Sequence, residues 1–425
     1  MGALTQSHFA TENKQHFTHC GECDALVTVP QHLNKQQRAL CPRCQHTLAT
    51  GNHWDLRRCA IIALSILILM PFALTFPLLS IDLLGVSVQA SVWGGVWKMA
   101  TEHYPYTAFL VFICAVVMPL FFALLVIMLR LAQLLKIKPR NLLLTINHIK
   151  PWVMLDVYLV SLGVAAFKVR EYASLEMDIY LIAFVFMALL TTLLFIKIDT
   201  KALWNDFYPQ QPQLEEICLK KPPHFCHHCE YSFNQPSFDR KKREICPRCH
   251  QSTVMDKNLI LQGTWATLIA GLIMLIPANL LPISTVYLNG APSSDTLMSG
   301  VISFIDMGSY FVAFVVFTAS IFVPIGKIII LLYLLCSVHF EWTHSIKWQM
   351  RLLHIVHFVG RWSMLDLFVL SLMMSLVSRG QIISFSVGPA ALYFGIAVFL
   401  TMISTSLFDS RLLWKIYDKQ THRKK

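Results

Sequence analysis

The sequence predicts an α-helical polytopic membrane protein made of two parallel four-helix transmembrane repeats, each preceded by a small four-cysteine ribbon. Three observations carry this expectation. Of 425 residues, 55% are hydrophobic and 14% charged, against roughly 45–50% and about 25% in an average soluble domain. Apolar runs near the ~20 residues that cross a bilayer recur along the chain. Paired C-x-x-C motifs appear in each half. Such a composition excludes an ordinary soluble domain, a fibrous chain and a disordered one.

The ribbons come first in chain order. Cys20-Gly-Glu-Cys23 is followed after 17 residues by Cys41-Pro-Arg-Cys44, and Cys226-His-His-Cys229 after 16 residues by Cys246-Pro-Arg-Cys249. Two sulfurs on one tight turn aim at a single ion, and a second pair completes the tetrahedron. Each unit has only about 30 residues, too few for an apolar core alone, so bound metal supplies folding free energy. The expected cofactor is zinc, two ions with one per ribbon, because zinc accepts four thiolates without redox chemistry. A rubredoxin-like iron site uses similar turns. Thioredoxin-type redox chemistry lacks its βαβ surroundings here. His227 and His228 are competing donors inside one turn. Of the remaining cysteines, Cys59, Cys114, Cys218 and Cys336 share no spacing, and those in apolar stretches read as small core residues.

The ribbons belong to a larger internal duplication. At an offset of 205, Cys41 corresponds to Cys246, Pro77 to Pro282, Gly95 to Gly300 and Pro119 to Pro324. Five extra residues then separate Pro324 from Trp362, and the offset becomes 210. Beyond them Trp152-Val-Met-Leu-Asp156 matches Trp362-Ser-Met-Leu-Asp366, Asp199 matches Asp409 and Trp204 matches Trp414. The chain thus divides into a ribbon at 1–56, a four-span domain at 57–200, a second ribbon at 201–258 and a second four-span domain at 259–425.

Hydropathy places the spans at approximately 58–80, 105–135, 152–170 and 178–198, and again at 264–285, 309–337, 362–378 and 389–408. The first 50 residues are polar and carry a ribbon, so no cleavable signal peptide is expected. The net charge of +11 settles orientation. Segments 1–58, 130–151, 197–263, 338–361 and 411–425 hold 30 of the 35 Lys and Arg residues, and the opposite loops hold four. Under the positive-inside rule both termini and both ribbons face the cytoplasm, which accounts for the charge without nucleic acid. An even number of spans per half sends both halves into the membrane the same way up, leaving a seam between parallel repeats.

Lys327 is the one basic residue well inside a span. It follows Pro324-Ile-Gly326, where a weakened helix frees carbonyls for an ammonium. The competing reading is a lysine that snorkels to the headgroups. Lys168 and Glu171, near the outer end of the third span, either line an opening or belong to a water-facing turn. Asp156 and Asp366 are repeat-equivalent acids near the cytoplasmic ends of their spans, read first as structural and second as proton or substrate groups. Thr191 and Thr401 are equivalent and mid-span; such hydroxyls bond back to their own helix, unless Thr401 faces Lys327.

Weak alternation at Ile81 to Val88 and at Ile283 to Leu288 predicts short strands on the outer face. Ser91-Val-Trp-Gly-Gly-Val-Trp-Lys98 reads as an interfacial or docking segment. The chain has no G-x-x-x-x-G-K-[ST], H-E-x-x-H or G-x-S-x-G, so nothing marks an ATPase, a zincin or a serine hydrolase.

Paired four-cysteine ribbons, the W-[VS]-M-L-D runs and the closing D-x-[KR]-x-L-W (Asp199 to Trp204; Asp409 to Trp414) together resemble the paraquat-inducible protein A family over essentially the whole chain. Within it the resemblance is to the inner-membrane subunits that partner envelope-spanning MCE-domain tunnels. It implies a multi-pass protein of the Gram-negative inner membrane, not an enzyme, that loads or receives phospholipid for a periplasmic MCE partner and supports envelope integrity. Lys327, Lys168, Glu171, Asp156, Asp366 and Thr401 are the expected headgroup or proton contacts. The alternatives are a membrane redox protein acting on quinones or thiols, and a passive anchor for the partner.

Overall fold

The C-x-x-C motifs sit in the turns of short antiparallel hairpins in the computed structural model, which describes residues 15–423 apart from 31–33, 35, 52–53, 84–85, 103, 171–173, 210–223, 227, 234–235, 240–242, 254–256, 289–290, 307, 343–344 and 377–382. Gln15–His19 pairs with Leu26–Pro30, Arg38–Leu40 with Thr47–Thr50, and His224–Phe225 with Ser232–Phe233. A bridge from Ile245 to Ser252 closes the fourth turn. The residue after each second cysteine (Asp24, Gln45, Glu230, His250) is left-handed, with φ of 57°, 61°, 52° and 61°. That conformation is uncommon outside glycine, and here it folds the chain back sharply. The first cysteine N–H then donates to the carbonyl five residues on: Cys20 to Ala25, Cys41 to His46, Cys226 to Tyr231 and Cys246 to Gln251, at 2.8–2.9 Å.

Both ribbons belong to one compact unit, residues 1–54 with 199–255. The backbone N–H of His19 donates to Ser232 Oγ at 3.2 Å. The His19 ring packs on Phe225, with centroids 5.5 Å apart. His19 and Phe225 each immediately precede the first cysteine of their ribbon, so the ribbons meet through equivalent positions. The helix Thr200–Phe207 closes this unit. Asp199 caps it by accepting from the Lys201 N–H at 2.9 Å, and Trp204 is buried in the unit's core.

Residues 55–198 and 256–425 form the other unit. Among the described residues, eight helical stretches in it are long and apolar enough to cross a membrane: Leu56–Thr75, Pro105–Leu134, Arg140–Phe167 and Tyr180–Lys197, then Lys257–Leu280, Tyr310–His339, Ile346–Ser375 and Ala390–Leu407. The third and seventh begin earlier than hydropathy placed them. Helices Arg140–Ile149 and Ile346–Val359 run through 3-10 turns, Lys150–Trp152 and Gly360–Met364, into Leu155–Arg170 and Leu365–Leu376. Polar residues interrupt both leading helices; in the first, Leu143, Ile146 and Ile149 are buried at helical spacing between them. A window average therefore reads the segment as a loop. The leading helices have 10 and 14 residues. Four of the five inserted residues are thus one extra helical turn of the second repeat.

Pro119 and Pro324 do not break their helices. Each is preceded by a π-helical turn, Ile113–Val117 and Thr318–Phe322. Proline lacks an N–H, and its ring crowds the carbonyl four residues back; the wider π turn relieves both. The weakening expected around Pro324-Ile-Gly326 is therefore a widened turn in a continuous helix.

Each repeat carries a three-stranded antiparallel sheet. Leu79–Leu83 lies between Val86–Ala90 and Ser174–Met177, and Ser284–Leu288 between Ala291–Asp295 and Ile383–Val387. The hairpin strands match the weak alternation in the sequence. The third strand of each sheet comes from about 95–100 residues later in the chain, beyond any local signal.

The repeats meet along their third and seventh spans. Tyr158 and Phe368, equivalent at the 210 offset and both fully buried, pack ring to ring at 5.1 Å. The segment Ser91–Lys98 is part of this contact: it opens the helix Val92–Thr101, which lies against Leu365–Leu376. The Ser91 N–H donates to Ser375 Oγ at 3.2 Å. A β-carbon on Gly95 would stand 2.4 Å from the Ser371 carbonyl oxygen, so only glycine permits this approach. The equivalent Gly300, on the helix Leu297–Asp306, has nothing within 4 Å of such an atom. One seam is closed and its counterpart is looser.

Candidate functional site

The ribbon turns bring their sulfurs together in two clusters, Cys20, Cys23, Cys41 and Cys44, and Cys226, Cys229, Cys246 and Cys249. In each cluster all four Sγ atoms lie within 4.8 Å of one another. The shortest separations are 3.4 Å for Cys20–Cys44, 3.6 Å for Cys23–Cys41, 3.4 Å for Cys226–Cys249 and 3.7 Å for Cys229–Cys246. Four sulfurs at ~2.3 Å around one tetrahedral ion stand ~3.8 Å apart. Both clusters therefore fit a single tetrathiolate-bound metal ion. His228 is exposed and stands outside the second cluster; His227 lies outside the described residues.

Sharing of thiol protons polarises these sites. The hydrogen bond with Cys23 pulls the Cys20 thiol down to about 5 and pushes Cys23 up, while burial raises Cys44 to about 12. In the second ribbon Cys226 is lowered by its hydrogen bond with Cys229, which is raised in turn. Arg248, beside Cys249, is buried, and its guanidinium lies 5.6 Å from the Trp204 ring and 5.3 Å from that of Tyr231. It donates to Asn205 Oδ1 at 2.9 Å. Burial depresses its pKa. This arginine fastens the helix Thr200–Phe207 to the metal turn.

The spans hold a second candidate. A cavity of about 420 Å³ lies between the repeats, lined by Lys150, Phe195, Lys327, His354, Gly360 and Arg361 among others. Lys327 is 3% exposed. Its ammonium rests against Gly360, where a β-carbon would stand 3.2 Å from Nζ. Lys150 donates to the Ile198 carbonyl at 3.3 Å, and its Nζ lies 4.7 Å from the centre of the Phe195 ring. Arg361 lies 5.3 Å from the same ring and reaches Asp156 at 3.9 Å. One aromatic ring thus holds two cations, while Lys327 is the most buried of the three and His354 and His357 are exposed.

Of the sequence-derived polar residues, this arrangement gathers Lys327 and, through Arg361, Asp156. Thr401 is not at the cavity. Its hydroxyl donates to the Val398 carbonyl at 2.9 Å and its methyl faces Gly271 of the fifth span, whereas Thr405, one turn on, does line the space. Thr191 likewise bonds back, to Met187. Asp366 lines a separate cavity of about 60 Å³ with Val164, Asp295, Gly300 and Phe304. Lys168 lies in the helix Leu155–Arg170, with its side chain outside the described residues, as is Glu171.

Hydropathy and charge counting passed over Lys150, Arg361, His354 and His357 by treating them as loop residues. Their signal was position: Lys150 and Arg361 stand directly ahead of the W-[VS]-M-L-D runs, separated from them by one residue and by none. The duplication also marks them, because Lys150 corresponds to Gly360, Pro151 to Arg361 and Phe122 to Lys327. The cavity is therefore built from positions where the two repeats differ.

The sequence profile of the paraquat-inducible protein A family matches residues 56–208 and 261–418, one match per repeat. A Haemophilus influenzae protein named "Probable intermembrane transport protein" is 64% identical over 94% of this chain and 96% of its own length. The Escherichia coli "Lipophilic envelope-spanning tunnel protein A" is 41% identical over 96% of this chain and 93% of its own. A third relative, "Intermembrane transport protein PqiA" of Escherichia coli, is 29% identical over 95% and 96%. No solved structure matches the chain. With its duplicated four-span unit and its pair of four-cysteine clusters, the chain belongs to the paraquat-inducible protein A family.

Proposed function

We propose that the protein is the inner-membrane component of a lipid transport system linking the two membranes of a Gram-negative envelope. It passes phospholipid to, or receives it from, a periplasmic tunnel of MCE domains, acting as a carrier and not as an enzyme. The single observation that supports this most is the cavity at the meeting of the two repeats, lined from both, with Lys150, Lys327 and Arg361 set in a mostly apolar wall. A mostly apolar space that bears cations suits an amphipathic cargo. The names of the relatives agree with intermembrane transport.

In this reading the positive-inside count puts the termini and ribbons in the cytoplasm. The ribbons bind one zinc ion each and stabilise the cytoplasmic unit, and the three-stranded sheets face the periplasmic partner. The cavity then opens toward the cytoplasmic leaflet, since Phe195, Thr405 and Lys150 lie near the span ends on that side.

A photo-crosslinking amino acid at Met402, in cells labelled with radioactive phosphate, tests the reading. Met402 lines the cavity yet is only 7% exposed. Labelled phospholipid is expected on the protein from this position and not from Phe184, which is fully buried away from it. Equal labelling at both, or none at Met402, would remove the seam as a lipid route.

A further inference from the structure

We propose that the cavity between the repeats is a binding site for a phosphate group, carried on an acylated glycerol, with Lys327 at its floor and Lys150 and Arg361 as flanking clamps. The inference deepens the lipid-transport reading and rests on it for the source of the phosphate. It starts from an imbalance. Lys327 is more than nine-tenths buried, borders the cavity, and has no hydrogen-bond or ion-pair partner among the described residues. A buried ammonium without a counter-charge is costly. The other two cations already have fixed places: Lys150 at the Ile198 carbonyl and Arg361 at Asp156, both against Phe195. Asp156, the nearby carboxylate, is engaged by Arg361, leaving an excess of positive charge around the space.

The chemistry of the missing partner follows from the donors. They arrive from three different spans, the third, sixth and seventh. A planar carboxylate presents two oxygens to such donors, whereas a tetrahedral phosphate offers acceptor positions in several directions and forms strong charge-assisted hydrogen bonds. The hydroxyls of Thr405 and Ser406 give their protons to carbonyls of their own helix, so the three cations are the charged donors for the anion, with Asn147, His354 and His357 beside them. The volume of about 420 Å³ exceeds what a bare phosphate fills, and Met402, Phe358 and Val356 give the remainder an apolar wall. A glycerol backbone and the first acyl carbons fit that wall, which favours the lipid source over free phosphate.

The test uses the purified full chain in a sugar-based, phosphate-free detergent, titrated calorimetrically with dioctanoyl phosphatidic acid, dioctanoylglycerol and inorganic phosphate. Phosphatidic acid is expected to bind, and Lys327→Met and Lys150→Met each to weaken it roughly tenfold or more, the worth of one charge-assisted hydrogen bond. Lys347→Met, at an exposed position on the leading helix of the seventh span, is expected to leave affinity unchanged. Ligand-free Lys327→Met is expected to melt no lower than the parent protein, since it removes an uncompensated charge; if it does not fold, Lys150→Met decides alone. Dioctanoylglycerol binding as tightly as phosphatidic acid, or phosphatidic acid binding unaltered in both variants, overturns the phosphate site. If that happens while Met402 still captures phospholipid, the lipid reading stands without it. Binding of inorganic phosphate alone, lost in both variants, keeps the phosphate site and counts against the lipid.

Discussion

Arg361 of the seventh span reaches Asp156 of the third across the repeat boundary, with 3.9 Å between guanidinium nitrogen and carboxylate oxygen. The duplication does not reproduce this pair, because the position equivalent to Arg361 is Pro151. Asp156 and Asp366 are therefore equal in sequence context and different in role. In a double-mutant cycle on thermal unfolding, Asp156→Asn and Arg361→Gln are expected to couple by about 1 kcal/mol, modest because both side chains keep some solvent contact. Asp366→Asn is expected to show no coupling to Arg361. Equal coupling for both acids would contradict the asymmetric assignment.

Gly95 and Gly300 make a second equivalent pair that packing separates. A methyl on Gly95 meets a backbone carbonyl at 2.4 Å, which cannot yield without moving the helix. Gly95→Ala is expected to cost about 1–3 kcal/mol and to lower the melting temperature in detergent. Gly300→Ala meets nothing within 4 Å and lies inside a helix, so it is expected to be neutral or to stabilise by up to ~1 kcal/mol. The comparison of the two melting curves checks the closed and open seams directly.

Gly360 leaves room for the Lys327 ammonium. Its backbone is helical, with φ −56° and ψ −27°, so an added methyl brings no backbone strain and acts on Lys327 alone. The new carbon would lie 3.2 Å from Nζ and 3.4 Å from Cε. Gly360→Ala is expected to shift the ammonium by a few tenths of an ångström and weaken phosphatidic acid binding several-fold, with little change in melting temperature. Gly360→Val is expected to weaken it further. Unchanged affinity in both variants would show that the position of this ammonium does not matter to the ligand.

The ribbons predict a metal inventory. Elemental analysis of purified protein is expected to give about two zinc ions per chain, falling to about one in Cys44→Ser or Cys249→Ser, with loss of structure around the altered ribbon. Iron in their place would favour a rubredoxin-like site. With Cys20 lowered to about 5 and Cys44 raised to about 12, a metal-free ribbon near neutral pH holds some thiols protonated. Metal binding must expel those protons, so affinity rises with pH and falls on acidification. Proton release measured in buffers of different ionisation enthalpy checks the sign.

Much of the architecture is local and so can be read from spacing. The C-x-x-C turns, the apolar runs and the offsets of 205 and 210 each need only neighbouring residues, or the chain compared with itself. Lys327 stands out for the same reason, as a charge inside an apolar run. The leading helices of the third and seventh spans were hidden, because hydropathy averages over the polar faces that make them amphipathic. The third strand of each sheet was hidden by its distance along the chain.

By itself the sequence determined the two ribbons, the eight spans, the duplication and the anomalous lysine. Tertiary structure alone decided that Lys150, Phe195 and Arg361 gather around that lysine, that Thr401 turns away, and that Gly95 is closed in while Gly300 is open. The physical reason is that periodicity specifies which face of a helix is buried, whereas a site between repeats depends on which buried face meets which. Two repeats of shared ancestry and unequal side chains cannot pack identically, and the cavity lies where they differ.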